Sequence, residues 1–327
     1  MKILGIGNAL VDILVKLEND YIIKELGFPA GSMQLVEKEK SNEIIKMLSG
    51  YETTQIAGGS AANTINGIAR LGIETGFIGK VGQDSFGEFF ANDFKKGNIN
   101  NHLFISSTET GKAVAFISPD GERTFATYLG AAIEMTANDL IANDFEQIFS
   151  QYDLVHIEGY LVQNHDLLLK ALELSKRYGL VISLDLASFN VVEQNLGFLH
   201  YITEKYIDII FANEEEAKSF TGFEPEKALE EISKKCPISI VKIGKKGSLI
   251  NFRGEICKID VIKANPIDTT GAGDLYAAGF LYGIATQKTP EQCGKLGSLL
   301  SGNVIENLGA KIPEEKWQVI KELIRKI

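Results

Sequence analysis

Ile267-Asp268-Thr269-Thr270-Gly271-Ala272-Gly273-Asp274 is the stretch on which the reading of this chain turns. An acidic residue and two threonines lead into a Gly-Ala-Gly turn, and a second aspartate follows. The apolar run Leu275-Tyr276-Ala277-Ala278-Gly279-Phe280-Leu281 comes next and reads as a helix. Small residues at a helix start leave backbone N–H groups unpaired and let an anion approach them closely. A carboxylate at the end of such a turn is a poor neighbour for an anion, unless its task is to take a proton. The stretch therefore reads as an anion hole beside a catalytic base. A plain acidic first turn, favoured by the helix dipole, would account for Asp274 alone. It would leave the flanking glycines and Asp268 unexplained.

Outward from this stretch, strands and helices alternate. Helix 137–149 precedes strand 153–157, helix 165–178 precedes strand 180–185, and helix 196–206 precedes strand 208–211. Helices 214–221 and 226–234 precede strand 238–243, and 248–252 with 255–262 read as a strand pair. Helices near 273–286, 290–307 and 313–326 follow. Toward the N-terminus, 3–7 and 76–82 read as buried strands and 41–49 as a helix. A small-residue helix opens at Ala57-Gly58-Gly59-Ser60 and runs to about Leu71, and Asp84 caps a helix over 85–96. Alternation of this kind predicts an α/β fold with a mostly parallel sheet covered on both faces. Ligands on such sheets bind beyond the carboxyl ends of the strands. Two regions break the pattern: the strand near 11–17, and a hairpin of 114–118 and 123–128 on a Pro119-Asp120-Gly121-Glu122 turn. They are expected to form a small second sheet.

Composition narrows the function. The 327 residues are 45% apolar and 23% charged, as in a soluble globular protein of enzyme size. A formal net charge of −10 opposes non-specific nucleic-acid binding, which depends on neutralising phosphates. It does not exclude a small phosphorylated ligand held by local N–H groups. Cys236, Cys257 and Cys293 lie far apart, and His102, His156, His165 and His200 lack metal-ligand spacing. A disulfide framework or a zinc site is not expected. Met1-Lys2-Ile3-Leu4-Gly5 reads as a first strand rather than a leader, and no apolar run approaches the length of a membrane span. The cytoplasm is the expected location, with no membrane partner.

Two common nucleotide motifs are excluded. No Gly-x4-Gly-Lys-[Ser/Thr] occurs. Gly5-Ile6-Gly7-Asn8-Ala9-Leu10 begins like a dinucleotide fingerprint but has Leu10 at the third glycine position, and a strand follows it. Asp268-Thr269-Thr270-Gly271-Ala272-Gly273-Asp274, by contrast, resembles the C-terminal signature of the ribokinase, or PfkB, family of carbohydrate and nucleoside kinases. The resemblance implies that Asp274 deprotonates an acceptor hydroxyl and that the amides of Gly271, Ala272 and Gly273 hold the transferring phosphoryl group. That division of labour suits phosphoryl transfer, which needs positioning and charge stabilisation more than covalent chemistry.

Other segments carry the same resemblance. Gly58-Gly59-Ser60-Ala61-Ala62-Asn63 is similar to the family's N-terminal Gly-Gly-x-x-x-Asn signature, implying acceptor contacts from Gly58, Gly59 and Asn63. Alone it is a glycine loop capping a helix. In Gly7-Asn8-Ala9-Leu10-Val11-Asp12, Asn8 and Asp12 fall where the family binds acceptor hydroxyls. Asn213 and Glu216 match Asn-x-x-Glu, implying ATP with Mg²⁺ organised through water at Glu216; the plain reading is an Asn-capped acidic turn. Lys242, Gly244 and Gly247 lie where relatives carry ATP phosphates and ribose, although many members place threonine at Lys242. Ser298 stands where relatives have Asn or His near the adenine. Asp268 and nearby carbonyls correspond to a place where relatives can hold a monovalent cation such as K⁺.

The matches run from residue 8 to residue 309. They imply one ribokinase-like domain over 1–327: three layers, a central sheet with helices on both faces, and a small β-sheet lid from about 11–36 and 102–129. A closing lid excludes water that would otherwise take the phosphoryl group. Its outer apolar face is the candidate surface for a homodimer. For the acceptor, Ser183-Leu184-Asp185-Leu186-Ala187-Ser188-Phe189 lacks the arginine that many sugar kinases of the family carry there. That segment is more similar to the adenosine kinase branch. Tyr160 offers a flat ring for stacking on a nucleobase, with a core or lid-hinge tyrosine as the equal alternative. The expected reaction is ATP-dependent phosphorylation of a primary hydroxyl on a nucleoside, adenosine first, with a sugar such as ribose or fructose as runner-up. A binding module without catalysis is the remote alternative, disfavoured by Asp274.

Overall fold

The computed structural model describes residues 1–119 and 122–327, so Asp120 and Gly121 of the expected hairpin turn lie outside the described residues. The strands run in chain order as β1 (Ile3–Ile6), β2 (Leu10–Lys16), β3 (Met33–Leu35), β4 (Thr53–Gly58), β5 (Thr75–Gly82), β6 (Ile99–Ser106) and β7 (Gly111–Ile117). They continue as β8 (Arg123–Tyr128), β9 (Leu154–Glu158), β10 (Val181–Asp185), β11 (Ile209–Asn213), β12 (Ile238–Lys242), β13 (Ser248–Phe252) and β14 (Glu255–Ile259). The large sheet has the order β14-β13-β12-β11-β10-β9-β1-β5-β6. From β12 to β6 neighbouring strands are parallel, while β13 and β14 add an antiparallel edge. This is the mostly parallel α/β arrangement that the alternation predicts.

Alternate residues of each central strand face opposite cores, which is why these strands read as continuous apolar runs. Ile209, Phe211, Ile238 and Ile240 bury against one helical layer, which includes Phe280, Leu296 and Leu300. Ile210, Ala212 and Val241 bury against the other, with Leu168, Ala217 and Phe220. Phe211 meets Phe280 edge-on, with centroids 5.5 Å apart. Full burial of one such side chain is worth roughly 1.5–3 kcal/mol. The contact ties the helix Ala272–Ala285, and with it the turn at Gly271, to the centre of the sheet.

The second sheet has the order β3-β8-β7-β2-β4. It differs from the expected lid in composition. β4 belongs to it, although Thr53-Thr54-Gln55 shows no apolar alternation, because an edge strand leaves these residues exposed. Residues 102–106 lie instead in β6, the parallel edge of the large sheet beside β5. One face of this sheet belongs to a core of the same chain: Val11, Ile13, Val15, Val114, Phe116 and Ala126 pack with Ile22, Ile23, Ile44 and Leu48.

The helix expected over 137–149 is absent. Turns lead into a 3-10 segment, Ala142–Gln151, in which Asn143 and Asp144 have φ of 52° and 58°. Asn and Asp tolerate this left-handed region, and Thr136 N donates to Asp139 Oδ2 at 2.7 Å, so local side-chain bonds replace a helix there. Among the described residues no helix is long and apolar enough to cross a membrane.

Candidate active site

The carboxyl ends of the parallel strands open into a cleft of about 1890 Å³ between the two sheets. β1 leads to Asn8, β9 ends at Glu158, and β10, β11 and β12 end at Asp185, Asn213 and Lys242. Two helices, Ser60–Arg70 and Ala272–Ala285, point their N-termini at this cleft. The parallel topology thus gathers at one cleft strand ends as far apart in sequence as Asn8 and Lys242.

Asp274 sits where the two helix ends meet. Its Oδ1 accepts from Ser60 Oγ at 2.8 Å, and its Oδ2 accepts from Asn63 Nδ2 at 2.9 Å. Thr64 Oγ1 donates to the Asp274 carbonyl at 3.1 Å, so the two helices are also joined through the backbone. Burial pushes the Asp274 carboxyl up to about 6, with Asp185 adding to the rise against Asn63, Ser60 and Lys242. A carboxylate poised near neutrality is suited to taking a proton. Gly271 has φ 75°, and a Cβ there would lie 2.6 Å from the Ala310 Cβ. The first intrahelical bond is Leu275 N to Gly271 O at 2.8 Å, so the amides before it face out of the helix end. Of the three expected phosphoryl-holding amides, that of Ala272 is engaged, donating to Thr269 O at 3.2 Å.

The glycine loop before Ser60 shapes the opposite wall. Gly59 has φ 108°, and a Cβ there would run into the Asn8 carbonyl. Gly58 lies under the Asp12 carboxylate rather than along the cleft. Burial raises Asp12 to about 7; Lys311 opposes the rise and Asp274 adds to it. Gly59→Ala is expected to cost about 1–3 kcal/mol of stability from backbone strain. It is also expected to weaken acceptor binding more than nucleotide binding, which melting curves and separate KM values would measure.

At the ends of β10 and β12, Lys242 Nζ forms an ion pair with Asp185 Oδ2 at 2.9 Å, and its side chain is only 15% exposed. A Cβ at Gly273 would lie 3.1 Å from the same ammonium, which places it against the helix N-terminus. Burial works against the Lys242 charge, yet Asp185, Glu216 and Asp274 hold its pKa above the ordinary lysine value. Asn213 caps the helix Glu214–Thr221 by accepting from Glu216 N at 2.9 Å. Its own N–H and Nδ2 donate to Glu216 Oε2 and Oε1 at 2.8 and 2.7 Å. Burial, then Asp185, raises Glu216 to about 7. Gly244, Gly247, Tyr160 and Ser298 all line the cleft, and Ser298 Oγ donates to Asp260 O at 2.9 Å.

Asp268 has a different setting from the one expected. Its Oδ1 accepts from Thr270 N at 3.0 Å, and its Oδ2 accepts from Gly309 N at 2.6 Å. Arg123 Nη2 of β8 lies 2.7 Å from the same Oδ2, and Arg123 Nη1 donates to Thr270 Oγ1 at 3.2 Å. The Arg123 guanidinium thus places a positive charge against this carboxylate. Among the described residues no group of three or more His, Cys, Asp or Glu side chains could hold a metal ion.

Sequence reasoning passed over Glu158, Asp185, Ser60 and Arg123 as site residues. Ser60 lay inside a quoted motif, and Glu158 stands two residues before Tyr160. Arg123 carried no signal, because only tertiary packing brings β8 beside residues 268–270.

The fold and the cleft define a phosphotransferase that acts on an alcohol group. The profile of the pfkB family carbohydrate kinases matches residues 31–317, and the chain belongs to that family. It is 32% identical to an uncharacterized sugar kinase of Archaeoglobus fulgidus over 253 residues, covering 75% of this chain and 96% of that one. The structure is similar to that of a probable sugar kinase from Rhizobium etli CFN 42, with a TM-score of 0.88, 29% identity and 98% of each chain covered. It is also similar to the adenosine kinase from Sinorhizobium meliloti, with a TM-score of 0.86, 29% identity, and 99% and 98% covered. Kinases of this family use ATP.

Proposed function

We propose that this kinase transfers the γ-phosphate of ATP to a primary hydroxyl of a nucleoside of the adenosine type. One observation carries the choice of acceptor. The second sheet and its neighbours turn an apolar wall, Leu10, Met33, Leu35, Phe125, Leu129 and Ile133, toward the cleft above Asn8 and Asp12. Met33, Leu35 and Ile133 are 55%, 67% and 60% exposed, and solvent-facing apolar groups that converge on a cavity favour an apolar, flat ligand. A pentose alone would leave this wall wet, whereas a nucleobase would cover it, with Tyr160 as a further ring.

In this reading the acceptor hydroxyl gives its proton to Asp274 as its oxygen attacks the γ-phosphorus, and the bond to the β–γ bridging oxygen breaks to release ADP. Gly271 and Gly273 amides and the Lys242 ammonium offset the charge on the transferring group without reorganising. The second sheet acts as the lid. Glu216 and Asp185 would hold Mg²⁺ through water, and the metal would neutralise phosphate charge. The fit is chemical: Glu216 and Asp185 bring two hard oxygen donors to one part of the cleft, with Lys242 beside them.

A phosphoryl-transfer panel with thermal shifts tests the acceptor. Adenosine is expected to exceed ribose and fructose in kcat/KM; turnover of ribose or fructose without adenosine would overturn the assignment. The pH dependence follows from the base. Asp274 must be ionised to act, and its carboxyl stands at about 6. On acidification below that value, kcat/KM is expected to fall about tenfold per pH unit. A profile flat from pH 7 to 5 would remove Asp274 from the proton transfer.

A further inference from the structure

The cleft continues past the turn at 271–274. Asn8 and Asp12 follow β1, Lys242 ends β12, and beyond it lies the antiparallel edge of β13 and β14. There the segment after β14 lines the cleft with Val261, Ile262, Ala264 and Pro266, and the helix Pro290–Val304 with its C-cap adds Gly302 and Ile305. A Cβ at Gly302 would lie 2.3 Å from Ile262 Cγ1, so the glycine lets the segment seat directly on the helix. Val261 is 49% exposed. An apolar surface held open along a cavity suits a flat apolar ring.

The polar groups around this end carry no fixed donor–acceptor pattern. Ser298 gives its hydroxyl proton to Asp260 O at 2.9 Å and keeps only acceptor capacity. The buried hydroxyls of Ser248 and Tyr276 are bonded to each other at 2.6 Å. Ser301 lines the cleft, and its hydroxyl can donate or accept as it rotates. Among the described residues the backbone N–H and C=O groups of 261–264 are unpaired, which offers both kinds of partner. Glu214 and Lys245, near the turn at Gly244, are long exposed side chains that must lose rotamer freedom to hold one position. No Asn, Gln, His, Asp or Glu side chain of residues 259–266 or 298–305 lines the cleft.

We propose that this end of the cleft seats the base of the phosphoryl donor without reading it, so that the protein takes purine nucleoside triphosphates as a class, GTP and ITP as well as ATP. This rests on the kinase reading above: with the γ-phosphate at Gly271–Asp274 and the acceptor beside Asn8 and Asp12, the donor's base falls at the end over β13 and β14. Adenine presents an amino group and a bare ring nitrogen where guanine and hypoxanthine present a carbonyl and an N–H. A site separates such bases by large factors only when the wrong one leaves a fixed buried donor or acceptor unpaired. Apolar walls reject a near-isostere weakly. A rotating hydroxyl, and a backbone segment with both N–H and C=O groups unpaired, can meet either edge.

Calorimetry of the diphosphates with Mg²⁺ and no acceptor tests this. ADP, GDP and IDP are expected to bind within about tenfold of one another. Each is expected to bind more tightly than pyrophosphate, which has no base to seat. Val261→Ala, at an exposed position, is expected to weaken all three nucleotides by about fivefold and to leave pyrophosphate unchanged. The wild-type comparison stands even if that variant fails to fold. ADP binding more than about tenfold tighter than GDP and IDP would overturn the proposal. So would pyrophosphate binding as tightly as the nucleotides, or a folded Val261→Ala that weakens ADP alone or none of them. Tight ADP with GDP and IDP rejected would leave the kinase reading standing, whereas failure of every nucleotide to bind would remove both.

Discussion

Asp274→Asn is expected to lower kcat by about 10²–10⁴-fold, the range for removal of a general base, while ATP affinity stays near that of the wild type. The substitution is nearly isosteric, so the helix end keeps its shape. Ser60 Oγ can still donate to the remaining carbonyl oxygen. Asn63 currently gives its Nδ2 to Asp274 and leaves its Oδ1 unpartnered. A turn of the Asn63 amide would let that oxygen accept from the new NH₂ group, which restores the second bond. Burial already makes the Asp274 charge unfavourable, as its raised carboxyl shows. The melting temperature is therefore not expected to fall. Steady-state kinetics with calorimetry of ATP binding would check both parts. Undiminished turnover would remove Asp274 as the base, and a large loss of ATP affinity would place it on the nucleotide side.

Lys242→Met is expected to have the next largest effect, and it acts on both stability and rate. The variant keeps the aliphatic stem but leaves Asp185 Oδ2 without its ion-pair partner, while Ala187 N still donates to Oδ1 at 3.0 Å. Glu216 and Asp274 lose the same neighbouring charge. Breaking a buried pair on one side costs about 3–5 kcal/mol. Loss of a preorganised charge beside the transferring phosphoryl group is expected to lower kcat by about 10²–10³-fold. The double variant Lys242→Met/Asp185→Asn separates the two contributions. It is expected to recover most of the stability, because no buried carboxylate is stranded at 185, and little of the rate, because the ammonium is still absent. Recovery of full kcat in the double variant would reduce Lys242 to a structural counter-ion.

Much of this architecture was legible from residue order. The parallel sheet follows from apolar runs spaced by helical segments, because strands buried on both faces cannot alternate with polar residues. The helix Ser85–Lys96 begins where Asp84 predicts, and Asp84 accepts from Gly87 N at 2.8 Å. Where reading failed, local rules were overridden. Residues 137–149 have helical spacing of apolar groups, but Asn143 and Asp144 take left-handed conformations that end any helix. β4 has no strand pattern, because its place at a sheet edge and its pairing with β2 supply the order that its own sequence does not.

The same division holds for the site. The sequence by itself determined the Gly-Ala-Gly turn, the aspartate at its end and the glycine loop before Ser60, because each depends on backbone geometry that only a few residue types allow. Gly271 and Gly59 are fixed in this way by their positive φ. Tertiary structure alone decided which charges meet. Arg123 reaches Asp268 across 145 positions, Lys242 reaches Asp185 across 57, and Glu158 reaches Asn8 across 150. These pairings depend on strand order and register, and nothing in the order of residues along the chain encodes them locally. The turn at 267–274 announces phosphoryl chemistry, but the surrounding sheets supply the charges that neighbour it and the apolar wall that lines the cleft.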